Sequence, residues 1–283
     1  MNKLYLLLLI SVAMFGCSKD EITDSLIDIP EENKVLSATD QFIKDNFSTP
    51  YNMEVVYRWN DNENDASKNL VPPSEDKVIP FLKAVKKIWI NSYITQAGND
   101  FFKPLVPKQL LLVGSPSYNV DGSITQGTAD AGRKITLFEV NDFSPSMTTL
   151  IRRYSKTLFH EFTHILHQKK EFSTQYQLIT PAYTSSWYLE ATETSARKKG
   201  FITRYAMSAP EEDFAEMAAL FLINDANSWE SIISEGGDEM KVLMKQKEQL
   251  MTTYMLNTWG IDMLEFRKVT TTAIQDVING NLD

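Results

Sequence analysis

His160 and His164 stand four residues apart, with Glu161 beside the first, in the run His160-Glu161-Phe162-Thr163-His164. On an α-helix, residues i and i+4 project from one face, so the two imidazoles can close on one zinc ion at about 2.0–2.1 Å. Glu161 is turned about 100° from His160 around the helix, which directs its carboxylate at a water on the metal and not at the metal itself. Zinc would polarise a carbonyl and bring the pKa of its water to about 7, with Glu161 as general base. This spacing implies metal-assisted hydrolysis. The chain has three histidines, and His160, His164 and His167 all fall within eight residues. The flanks Leu158-Phe159 and Ile165-Leu166 bury the helix, where a carboxylate without a cation would be costly.

A catalytic zinc takes three protein ligands and keeps one position for water. His167 lies almost two turns beyond His160, about 10 Å along the axis. It is expected to line the substrate cleft or to be a hydrogen-bonded core histidine. Glu190 and Glu193, in Trp187-Tyr188-Leu189-Glu190-Ala191-Thr192-Glu193, are candidates because zinc enzymes can take a glutamate from the following helix. Glu212 is the better candidate. Phe214, Met217, Ala218, Phe221 and Leu222 mark a buried helix, and Glu212 and Glu216 share one face of it. Two carboxylates pointing together suit one zinc ligand and one acceptor for the outer N–H of a zinc-bound histidine. Glu211 and Asp213 read as a solvated acidic first turn, favoured by the helix dipole.

These residues need a frame. Residues 37–47 predict a short helix stopped before Pro50, and the β-branched and aromatic run 53–59 predicts a strand. A long helix over 74–93 places Val78, Phe81, Leu82, Val85, Ile88 and Trp89 at core spacing. Residues 110–113 and 134–140 read as strands. The histidine helix is expected to begin near Ser144-Pro145, with the serine as cap, and to run past His167. A few strands among helices, followed by a mostly helical second half, predict an α+β fold.

The chain is 283 residues long with net charge -9 and one cysteine. It has no basic cluster interleaved with aromatics, which argues against nucleic acid as partner. Lys3 followed by the apolar run 4–15 reads as an export signal over residues 1–16, too short to span a bilayer. Its end, Met14-Phe15-Gly16-Cys17, resembles the lipobox of bacterial lipoproteins, which implies lipidation of Cys17. Residues 17–35 are then a polar, acidic tether, and 36–283 the folded domain. Ser18-Lys19-Asp20-Glu21 looks like the signal that sends some such lipoproteins to the outer face of the cell.

HEFTH, then Tyr205, then Glu212-Asp213-Phe214-Ala215-Glu216 resembles the lethal-factor-type zinc peptidases, in which a tyrosine lies seven residues before the third-ligand glutamate, as Tyr205 does here. The resemblance gives the Tyr205 hydroxyl the task of stabilising the oxyanion. The leader, Tyr57-Arg58-Trp59, HEFTHILHQ, Gly200-Phe201 and the Glu212 to Glu216 segment together resemble the substrate import-associated zinc metallohydrolase lipoproteins. That likeness implies a zincin-like fold, one catalytic zinc, cleavage of a peptide or protein substrate, an outer-membrane anchor and association with a TonB-dependent import system. It also implies that the strand at 134–140 is an exposed edge to which a substrate peptide adds. Two rival readings share these residues: a substrate-binding component whose metal site is not catalytic, and a zinc hydrolase of non-peptide amides.

Overall fold

The computed structural model describes residues 35–60, 63–65, 67–119, 124–125, 127–130 and 133–283. The expected leader, the expected lipidation site Cys17 and the expected tether up to residue 34 lie outside these. The unit Ala38–Asp283 is α+β, and among the described residues no helix is long and apolar enough to cross a membrane.

Three short parallel strands, β1 (Glu54–Val56), β2 (Gln109–Leu112) and β6 (Lys134–Leu137), form a sheet with β5 (Gly127–Asp130), while β3 (Ser117–Tyr118) and β4 (Ile124–Thr125) make a separate hairpin. The order β1-β2-β6-β5 puts β6 inside the sheet, antiparallel to β5. The expectation of an edge at 134–140 is therefore corrected: among the described residues the edges are β1 and β5. Gly-Thr-Ala-Asp has no apolar alternation to announce a strand; its pairing with the neighbouring β6 makes it one. Gly127 is required for a close approach, since a Cβ there would meet Thr157 Cγ2 at 2.4 Å.

Helix α1 (Ala38–Ile43) continues through a π-helical turn, Lys44–Ser48, to Tyr51, beyond the expected stop at Pro50. Proline at the start of the last turn loses little, and the left-handed Asn52 ends the winding. Helix α2 (Glu75–Val85) runs on through residues 86–97, with all six of its expected core residues buried. Helix α3 (Thr148–Lys169) carries the histidines and starts later than Ser144, whose hydroxyl is engaged with Ser146 at 2.9 Å in a preceding turn.

Helix α3 turns an aromatic face to the core. Phe162 meets Tyr93, Phe102 and Trp89 with ring centroids 4.4, 5.4 and 5.8 Å apart. Burying each such ring contributes about 1.5–3 kcal/mol, which fixes the rotation of α3 and hence the direction of its histidines. Along α3 packs α4 (Pro210–Ile223), with proline in its first turn; α5 (Ala226–Ser234), α6 (Asp238–Trp259) and α7 (Met263–Ile278) complete the bundle.

Asp213 departs from its reading as a solvated first-turn acid. It is fully buried and pairs with Lys247 of α6 at 2.6 Å, while Tyr183 donates to the same oxygen at 3.0 Å. Lys247 also donates to the carbonyl of Gly200 at 2.9 Å. Burial raises the Asp213 pKa and lowers that of Lys247 against their mutual attraction, so desolvation opposes the pair. Removing one partner strands the other's charge. Lys247→Met should cost about 3–5 kcal/mol, and adding Asp213→Asn should restore part of it. Denaturant unfolding of both variants measures this.

Candidate metal centre

Helical geometry brings His160 and His164 together, and the packing of α4 on α3 brings Glu212 to both. Nε2 of His160 and Nε2 of His164 are 3.0 Å apart, and Glu212 Oε2 lies 3.0 and 3.2 Å from them. Donor atoms each about 2.0 Å from one tetrahedral ion stand about 3.3 Å apart, so this triangle fits a single zinc with small adjustment. Two imidazoles and a carboxylate are also the donor chemistry zinc prefers, with a fourth position left open. Glu161 offers a carboxylate oxygen within 4.8 Å of ring nitrogens of both histidines, farther off than Glu212.

Each histidine is held from behind. Nδ1 of His160 is 2.9 Å from Glu216 Oε1, close enough for an ion pair although not aligned as a linear hydrogen bond. The buried Glu216 is itself fixed by Lys156 at 2.8 Å and by the Thr203 hydroxyl, which donates at 2.7 Å. Nδ1 of His164 meets Nε2 of His167 at 2.7 Å. Both expectations for His167 describe it: the ring is hydrogen-bonded to His164, and it also lines the cavity beside the site. Rise along the axis separates it from His160, but its ring reaches back one turn.

Thr203 also ties the site to the loop after it, accepting from the N–H of Ala206 at 3.0 Å. The turn Tyr205–Met207 thereby sets Tyr205 beside His160, with ring centroids 5.9 Å apart, and Trp187 packs edge-on against it at 5.0 Å. The structure does not bring Glu190 or Glu193 to the histidines. Glu190 pairs with Lys199, and Glu193 accepts from the backbone N–H of Arg204 at 2.8 Å.

Burial would depress the pKa of His160, but Glu212 and Glu216 outweigh it and lift the group to about 9. Burial would raise Glu212 and Glu216, yet the histidines, and Lys156 for Glu216, hold both well below the usual carboxylate range. Burial raises Glu161 against the opposing pull of the histidines. Desolvation and the neighbouring His164 drop His167 to about 4, leaving it neutral at pH 7. Burial and the Glu212 charge raise Tyr205, so its hydroxyl keeps its proton.

A pH dependence follows. With a folded pKa near 9 against 6.5, the His160 pairing stabilises the metal-free protein fully below pH 6.5 and is lost as pH rises through about 9. The depressed Glu212 contributes above its ordinary pKa of 4.5 and loses that contribution as pH falls through its lowered value. A zinc-bound imidazole must be unprotonated. Apparent zinc affinity should therefore climb about tenfold per pH unit toward pH 9 and then level, measurable by chelator competition.

Among curated proteins none matches the chain. Among solved structures, a crystal structure of a putative zinc-binding metallo-peptidase from Bacteroides caccae is similar over 92% of this chain and 99% of that one, with 33% identity and a TM-score of 0.76. The pattern of the family described as "Putative zinc-binding metallo-peptidase" matches residues 32–264. With a donor set suited to zinc and a match across most of its length, the chain belongs to that family.

Proposed function

We propose that this protein is an exported, lipid-anchored peptide hydrolase whose single zinc is held by His160, His164 and Glu212. The observation that carries the reading is the triangle of 3.0, 3.0 and 3.2 Å between their donor atoms, with the Glu161 carboxylate beside it. Zinc held there supplies a Lewis acid for the scissile carbonyl and for water. Glu161 takes the proton from that water and returns it to the leaving amine. The Tyr205 hydroxyl donates to the carbonyl oxygen as negative charge develops there. Glu216 and His167 hold the two imidazoles in orientation.

An extended peptide can add to the sheet along β5, the antiparallel edge, whose Gly127 abuts Thr157 one turn before His160. Export and anchoring rest on the leader and Cys17, and a link to a TonB-dependent importer on the family resemblance. Metal analysis of the purified protein, with hydrolysis of denatured protein before and after chelation, tests the reading. Stoichiometric zinc with chelator-sensitive cleavage is expected. A folded protein with no affinity for zinc would overturn it. Zinc binding without any peptide cleavage would favour a substrate-binding component or an amide hydrolase of another class.

A further inference from the structure

The metal site opens on one side into a cavity of about 570 Å³ that shares His164, His167 and Glu212 with it. No lysine or arginine lines this cavity. Its lining includes the exposed Glu171 and Glu211, and among the described residues neither is in an ion pair. Gln168 and Gln177 add amide groups. The apolar part is Phe172, stacked on Phe214 with centroids 4.2 Å apart and planes 4° from parallel, and edge-on to His167 at 5.6 Å. Those contacts hold the ring in place while leaving it half-buried.

The acidity is local. Gln168 also lines a neighbouring hollow of about 340 Å³, whose charged residues, Lys108, Arg133 and Lys169, are all basic. The sign of the charge changes across one side chain. A lysine or arginine side chain has an alkyl stem that packs on an aromatic face and a cationic head that seeks carboxylates. An apolar side chain would leave Glu171 and Glu211 facing it, and an acidic one would be repelled.

We propose that this cavity is a specificity subsite that receives a lysine or arginine side chain of the substrate, its cation held by Glu171 and Glu211. This rests on the peptide-hydrolase reading for its place beside the scissile bond. The test uses the full chain loaded with zinc and six-residue peptides identical except for Arg, Lys, norleucine or Glu at each position in turn. Cleavage rates are read on this protein, and equilibrium binding by calorimetry on its zinc-loaded Glu161→Gln variant.

At one position near the cleavage site, Arg and Lys should exceed norleucine by about tenfold or more in both kcat/KM and affinity, with Glu weakest. In the Glu171→Gln/Glu211→Gln variant, checked for unchanged zinc content, the Arg to norleucine ratio should fall toward one. Equal binding of Arg and norleucine peptides at every position would overturn the subsite, as would a preference that survives the double substitution. Selective Arg binding without turnover would instead uphold the subsite and sink the hydrolase reading.

Discussion

Glu161→Gln should lower kcat on any peptide substrate by about 10²–10⁴-fold and leave the zinc content unchanged. Glutamine keeps the size and hydrogen-bonding reach of the side chain but cannot accept a proton. The carboxylate stands beside the donor triangle and not in it, so the substitution removes proton transfer and spares coordination. Steady-state kinetics with metal analysis of the same preparation measures both effects. Activity within a few fold of wild type would take the general-base role away from this residue.

Glu212→Ala should weaken zinc binding by more than about 100-fold, beyond the 10–100-fold typical of losing an outer partner. It removes one of three donors and leaves two imidazoles that cannot hold the ion alone. Glu216→Gln, which alters the far side of His160 and the pairing with Lys156 but removes no donor, falls in that smaller range. Glu190→Ala should leave affinity where it was, because that carboxylate is spent on Lys199. Chelator competition across the three variants ranks them. A large loss with Glu190→Ala and none with Glu212→Ala would return the third ligand to the earlier glutamate.

What could be read from the residues alone was mostly short-range. Two histidines one turn apart fall on one face wherever a helix forms, and the apolar flanks made a helix there unavoidable. The α+β class followed from helical and strand periodicities in separate segments. Glu212 and Glu216 stood out because paired carboxylates on an otherwise apolar helix ask for positive partners. Asp213 looked like their solvated neighbour because its partner is 34 residues away, and no local pattern names Lys247.

The other departures arise from closer neighbours. Rise along the axis sets His167 well apart from His160, whereas a side chain leaning toward the helix N-terminus reaches His164. Ser144 has the composition of a cap but bonds Ser146 instead. Strand β5 has no side-chain signature, so the position of the sheet edge could only come from pairing. Pro50 stops a regular α-helix, yet a π-helical turn just before it lets the winding continue.

The salt bridge between Lys247 and Asp213 joins the residue next to Glu212 to a helix that supplies no donor to the metal. Inheritance therefore sees the two as one target. A chance lesion at Lys247 lowers the amount of folded protein without touching a metal donor, and a fragment trimmed before Asp238–Trp259 should fold poorly even with every motif residue in place.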